Sequence, residues 1–282
     1  MRDFIVIGIG GGGDVASTVL ARDRIGFKKS LSGSLLWDSY DETRRPTPWR
    51  LEEVIGLQRV SKFFGFVKAN CRVRGGFRLN AMRFAECFDE KVAVMDIFGG
   101  YTGLLDSLKK AIKKLRIKAV YGLDVGGDVL VHPSDKVISP LADSLLLAVL
   151  SSIPGSKIFV TGLSLDGELE FDIVYNRVRE AKDALIDVYE PSKQGIKLLG
   201  RAVRCVKTNS SKNLYNALMG NLKVPPEATK VYVFDASRLI KYAPVARELI
   251  GVSSFEDAES TIRRLDLRPE SDILREKLRF FK

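Results

Sequence analysis

Apolar runs of strand length recur along the chain: FIVIGIG from Phe4, VAVMDIF from Val92, KAVYGLD from Lys118, KIFVTGL from Lys157 and KVYVFDA from Lys230. They are near-continuous rather than alternating, which predicts strands buried on both faces of a parallel sheet. Between them the apolar positions recur at helical spacing and predict helices over 15–24, 103–115, 140–153 and 168–188. Ser139-Pro140 adds a cap followed by proline at the first helical position. Strand and helix units in alternation imply right-handed crossovers. The expected fold is therefore α/β: a doubly wound, mostly parallel sheet in a Rossmann-like helix–sheet–helix sandwich.

Two regions break the rhythm. Residues 37–78 are rich in charge, proline and glycine and read as an insertion, with strands expected near 66–72. Residues 191–224 read as helices with no strand between them, and the segment from 253 is helical again. The expectation is a single α/β domain over 1–282, with the insertion near 37–78 and a helical C-terminal portion from about 191. No repeat is visible.

The longest apolar runs, such as LLLAVL from Leu145, fall far short of the ~20 residues that span a bilayer. The N-terminus enters a strand directly, without the basic and apolar regions of a secretion signal. Cys71, Cys87 and Cys205 are widely spaced and form no C-x-x-C pair. That predicts neither a disulfide framework nor a zinc knuckle, and a reducing, cytoplasmic setting.

Forty-five Lys and Arg against 35 Asp and Glu leave a formal charge of +10, which raises the prospect of an anionic partner. The basic residues are spread out, however. In SLKKAIKKLRIK from Ser107, Leu108, Ala111, Ile112 and Leu115 form one helix face and the lysines the other. Glutamine occurs only at Gln58 and Gln194 amid abundant Lys, Arg and Glu, a surface chemistry shared with heat-adapted proteins. Nucleic acid and membrane are not expected as partners; a small anionic metabolite is, and a homo-oligomer stays open.

The first strand ends in GIGGGGD. Gly8, Gly10 and Gly13 satisfy G-x-G-x-x-G after a predicted strand and before a predicted helix, the context of a dinucleotide site. Gly10, Gly11, Gly12 and Gly13 are candidate phosphate-binding residues, and Asp38 a candidate ribose-binding acid for NAD(P). Asp14 argues otherwise, because a carboxylate in the first helical turn repels a pyrophosphate unless a cation lies between them.

Further glycine-and-acid turns follow later strands: Asp96 with Gly99 and Gly100, Asp124 with Gly126, Gly127 and Asp128, and Asp166 with Gly167 and Glu168. In an open parallel sheet these carboxyl ends share the ligand-binding edge. Crowded carboxylates need raised pKa values or a cation, and oxygen donors without histidine or cysteine suit Mg²⁺, Mn²⁺ or Ca²⁺. Asp14, Asp124 and Asp128 are the candidate metal ligands, Gly126 and Gly127 further ligand-binding residues, and Asp166 and Glu168 the candidate acid or base. Asp143 fits either helix-dipole compensation or the site. His132, the only histidine, reads as a loop or core residue, and neither a P-loop nor a G-x-S-x-G elbow is present. Trp37 and Trp49 flank Arg44 and Arg45 in a segment that reads equally as a lid or as a structural insertion.

The ordered set GIGGGGDVAST, LLWDSYDETRRPTP, GLDVGGDVL, SPLADSLLLA and DGELE resembles the mainly archaeal family called domain of unknown function 1152. The likeness runs from the start to about residue 188 and more loosely beyond. It implies that 10–14, 124–128 and 166–168 are parts of one site. The leading expectation is a cation-assisted enzyme, a hydrolase or transferase, acting on a small anionic, phosphorylated or nucleotide-like metabolite. The alternatives are an NAD(P)-dependent oxidoreductase and a non-catalytic ligand-binding or regulatory protein.

Overall fold

The computed structural model describes residues 2–38, 45 and 47–279. Its strands are β1 (Phe4–Gly8), β2 (Ser30–Leu35), β3 (Val54–Ile55), β4 (Gln58–Ser61), β5 (Phe64–Val67), β6 (Arg72–Val73), β7 (Val92–Met95), β8 (Ala119–Val125), β9 (Lys157–Thr161), β10 (Leu185–Tyr189) and β11 (Val231–Asp235). A nine-stranded sheet runs β10-β11-β9-β8-β1-β2-β7-β5-β4, and β3 pairs with β6 in a small ladder. The central β9-β8-β1-β2-β7 block is parallel. Counting only those strands in chain order gives 3-2-1-4-5, the Rossmann order, whose direction of growth reverses between β1 and β8.

The apolar runs are continuous because the two faces of the sheet take alternate residues. In β1, Ile5 and Ile7 enter one core cluster and Val6 the other. In β9, Ile158 and Val160 go to the first face and Phe159 to the second. Helices α1 (Thr18–Ile25), α2 (Asn80–Phe88), α6 (Lys193–Cys205) and α7 (Ser210–Leu218) cover the Val6 face. Helices α3 (Gly100–Leu115), α4 (Pro140–Ser151), α5 (Phe171–Glu180), α8 (Ala236–Leu239), α9 (Pro244–Glu248) and α10 (Phe255–Arg264) cover the other. Helix α4 is apolar on nearly every side and sits sequestered beneath α9 and α10. Helix α11 (Glu270–Arg279) follows at the C-terminal end.

Four sequence expectations need correction. Strand β2, SLSGSL, lacks the apolar run that marked the others, yet it is wholly buried. Two of its serines are satisfied from α1: Arg22 donates to Ser30 Oγ (3.3 Å) and Ser32 Oγ (2.8 Å), and Thr18 Oγ1 meets Ser32 Oγ at 2.6 Å, while Ser34 Oγ donates to backbone carbonyls. Arg22, fully buried, is also paired with Glu90. The helix expected over 168–188 ends with α5, and the chain turns into β10, which pairs antiparallel with β11. Strand β11 is itself antiparallel to β9, so the sheet changes direction beyond its parallel block. Within the insertion, β4 and β5 form a hairpin that extends the main sheet along β7.

The fourth correction concerns the cysteines. Cys87 and Cys205 form a disulfide with a Cα–Cα distance of 6.2 Å, while Cys71 is a buried thiol. Wide sequence spacing is no obstacle when α2 and α6 pack side by side. Cysteine content therefore does not argue for a reducing compartment. No helix among the described residues is long and apolar enough to cross a membrane.

Candidate functional site

The reversal of strand order between β1 and β8 lies at the carboxyl edge of the sheet, the place where open α/β sheets form a ligand-binding crevice. From β1 the chain turns sharply through the glycines into a short 3-10 segment, Gly12–Ala16. A Cβ on Gly8 would lie 2.7 Å from the Asp14 backbone, so this fold-back requires glycine. The turn delivers Asp14 to the crevice. Asp124 is the penultimate residue of β8, Asp128 comes from the loop behind it, Asp143 from the first turn of α4, and Asp166 and Glu168 from the loop after β9.

These carboxylates gather as two groups. Oxygens of Asp14, Asp124 and Asp143 all lie within 4.8 Å of one another, as do those of Asp128, Asp166 and Glu168. The first trio is buried. Asp166 and Glu168 form a partly exposed rim, and the Asp124 and Asp128 carboxylates touch across the gap between the trios. The arrangement unites Asp14, Asp124 and Asp128 less tightly than expected: Asp143 takes the third place beside Asp14 and Asp124.

Few donors serve the inner trio. Gly10 N–H donates to Asp14 Oδ2 (3.2 Å) and Gly127 N–H to Asp124 Oδ1 (3.4 Å). Asp124 Oδ2 and Asp143 Oδ1 are buried and have no hydrogen-bond partner. Burial, followed by repulsion from Asp124, holds the Asp14 carboxyl well above its ordinary range. Burial and then the charges of Asp124 and Asp14 do the same to Asp143, and burial with Asp143 and Asp124 to Asp128. Asp124 is pushed up to about 6 by burial. Asp166 reaches about 7, through burial and the neighbouring Glu168. Such a group of raised carboxyls marks a place built for protons or cations.

The glycine loops shape this crevice by letting carboxylates approach. A Cβ on Gly10 would stand 2.6 Å from Asp14 Oδ2, and one on Gly126, whose φ is +137°, 2.1 Å from Asp166 Oδ2. At Gly12 it would meet Asp38 Oδ1 at 2.0 Å. Two of the amides expected to cradle phosphate are engaged inside the protein: Gly10 with Asp14, and Gly12 N–H with the Trp37 carbonyl at 2.6 Å. Gly13 is roofed by Thr208, 2.9 Å from the position of a Cβ, and Gly11 is exposed.

Other candidates fall outside the cluster or, like Glu168 within the second trio, are engaged by neighbouring amides. Asp38 stands just beyond β2, where a ribose-binding acid belongs, but is buried and accepts the Asn80 N–H at 2.7 Å. Asp96 is a capping residue, accepting from Leu51 N–H (2.9 Å) and Phe98 N–H (3.0 Å). Glu168 accepts the Ile138 and Ser139 amides (2.9 and 3.0 Å) and the Ser139 hydroxyl. His132 is half-buried next to the Asp135–Arg177 ion pair, and burial lowers its pKa. Trp37 packs edge-on against Phe255 (5.7 Å), and Arg45 stacks on Trp49 (4.2 Å) while pairing with Glu53. Both tryptophans are buried and build the insertion into the core; Arg44 lies outside the described residues.

One residue had no signal in the sequence. Glu270, which opens α11, is buried, with Oε1 accepting both the Leu141 and Ala142 amides at 2.9 Å and Oε2 left without a partner. Burial raises its pKa to about 8.

The family model described as a protein of unknown function, DUF1152, matches residues 5–278, and the chain belongs to that family. The match runs well past residue 188, where the motif likeness was expected to fade. No curated protein and no solved structure matches the chain.

Proposed function

We propose that this DUF1152 chain binds a divalent cation, Mg²⁺ or Mn²⁺, between Asp14, Asp124 and Asp143 and uses it on a small anionic metabolite, phosphorylated or nucleotide-like. The observation that carries the reading is the pair of buried, partnerless oxygens on Asp124 and Asp143, two carboxylates that gather with Asp14 at the reversal of strand order. A buried polar group without a hydrogen bond is costly, and a buried charge more so. A hard cation relieves both.

The cation also answers the charge problem, since an anion entering a carboxylate-lined crevice is repelled unless a positive centre lies between. A bound cation supplies charge stabilisation where negative charge develops. Asp128 borders the cation from the second trio. The acid or base role goes to Asp166, which is on the rim and titrates near neutrality; Glu168 is tied to the start of α4.

Strand order favours one rival, a nicotinamide dinucleotide lying across the same crevice with Asp38 on its ribose. Thermal melting with Mg²⁺, Mn²⁺, NAD or NADP separates the two. A cation response lost in Asp124→Asn supports our reading; a response to dinucleotide alone replaces it. Turnover of a phosphorylated-metabolite library in the presence of the cation then separates an enzyme from a binding protein.

A further inference from the structure

A carboxylate in the first turn of a helix ordinarily takes its hydrogen bonds from the free amides there. Asp143 occupies that position in α4, a twelve-residue helix, yet its Oδ1 is buried and unpartnered. Two of the free amides of that turn go instead to Glu270. It comes from 127 positions farther along the chain, and its Oε1 accepts from both Leu141 and Ala142, the amides just ahead of Asp143.

We propose that Glu270 is a positioning residue for the cation centre: by capping α4 from outside, it fixes the first turn of the helix and with it the Asp143 carboxylate beside Asp14 and Asp124. The inference rests on the cation reading above. It assigns the C-terminal segment a task in the site, since Glu270 is fixed there by its neighbours. Ser271 Oγ donates to Glu259 on α10, and α10 packs Phe255 against Trp37 and Phe98. An outside cap is an unusual use of a buried acid, because local Ser, Asp or Asn caps are the ordinary solution. Ser139, the residue at the cap position of α4, makes no such bond, and its hydroxyl serves Glu168 and Asp128 instead.

Glu270→Ala frees the two amides. With its first amides unpartnered the opening turn of α4 is released, Asp143 moves with it, and the centre is left with two ligands. Glu270→Gln retains an acceptor oxygen of the same reach and keeps the cap. Mn²⁺ binding to the full chain, read by electron paramagnetic resonance of the free ion, decides between the outcomes. Expected are wild-type affinity within about threefold for Glu270→Gln and weakening of at least tenfold for Glu270→Ala, a loss of roughly 1.4 kcal/mol or more. Glu270→Asp, one methylene shorter, serves if the alanine variant fails to fold and should also weaken binding. Ser271→Ala, which loosens the same segment without touching the cap, should bind like the wild type.

Wild-type affinity in Glu270→Ala, or in Glu270→Asp where that variant replaces it, overturns the positioning role and leaves the cation reading intact. Equal weakening by Ser271→Ala and Glu270→Ala overturns it as general loosening. Equal weakening by Glu270→Gln and Glu270→Ala overturns it in favour of a direct charge effect. No Mn²⁺ binding by the wild type removes both proposals together.

Discussion

Asp14 and Asp124 meet across the reversal of strand order: one leaves the glycine turn after β1, the other is penultimate in β8, and a carboxylate oxygen of each lies within 4.8 Å of the other. No two strands of the sheet are better placed for this. β1 and β8 are adjacent and parallel, and Gly8 is in register with Leu123, directly before Asp124. Each strand therefore hands its acid to the same point.

A divalent cation should stabilise the folded chain. Binding to the native state alone adds about 2.7 kcal/mol at a hundredfold excess over Kd, or about 5–11 °C in Tm at about 2–4 °C per kcal/mol for a chain of this size. Differential scanning fluorimetry with millimolar Mg²⁺ or Mn²⁺ against EDTA measures it. An unchanged Tm with both ions would remove the metal from the reading.

Charge removal should act in the opposite direction without cation. Asp143→Asn or Asp124→Asn relieves repulsion in the inner trio, and each pKa unit so relieved is worth about 1.4 kcal/mol. In EDTA at pH 8 both variants should melt above the wild type, and with Mn²⁺ the order should reverse. If both melt lower in EDTA as well, the carboxylates stabilise the apo fold and the repulsion argument fails.

Apo stability should fall as pH rises. Asp124, Asp166 and Glu270 titrate at about 6, 7 and 8 when folded, against about 3.9 for Asp and 4.3 for Glu unfolded. Between those limits the folded state holds more protons, so this contribution is complete below about pH 4 and is lost as pH passes through about 6 to 8. His132, lowered by burial, opposes the trend as a single group. Urea midpoints in EDTA at pH 5, 6.5 and 8 should decrease in that order. A rising series would mean that these acids are ionised in the folded apo protein.

Gly126→Ala should damage the site more than the fold. The new Cβ meets the Asp166 carboxylate at 2.1 Å in a backbone conformation, φ +137°, that alanine rarely adopts. Such overpacking costs about 1–3 kcal/mol, and Asp166 is the movable partner. Expected is a Tm lower by about 2–12 °C and a shift in any pH optimum near 7. Turnover with an unmoved pH profile would take the acid or base role away from Asp166.

The Cys87–Cys205 disulfide closes a loop with a sequence separation of 118. Losing a native disulfide typically costs about 2–5 kcal/mol, so Cys87→Ser/Cys205→Ser should melt about 4–20 °C lower at the slope above. The fold should persist, because Asn80 holds Lys207 through two hydrogen bonds of 2.9 Å next to the bridge. Equal melting of the variant and the wild type under oxidising conditions would show that the bridge contributes no stability.

By itself the sequence determined the α/β class, five of the nine strands of the main sheet, the glycine turn and the acids that follow the strands. It could do so because burial on both faces of a sheet demands an uninterrupted apolar run, a local property. Strand β2 escaped because two of its buried serines are matched by Arg22 and Thr18 of the preceding helix, a pairing invisible to hydropathy. Strand β10 escaped because Leu185, Val188 and Tyr189 recur at helical spacing, while its exposed Ile186 and Val188 lack the two-sided burial that marked the other strands. Only the tertiary structure decided that the acids divide into two trios, that Asp143 joins Asp14 and Asp124, that Asp96 is a capping residue, that Glu168 holds the amides just ahead of α4, and that Glu270 belongs at the first turn of that helix. It also decided the disulfide, since α2 and α6 become neighbours only once the sheet has formed. In each case the deciding quantity is which donor amide or opposing charge a side chain meets, and that partner stands far away in sequence.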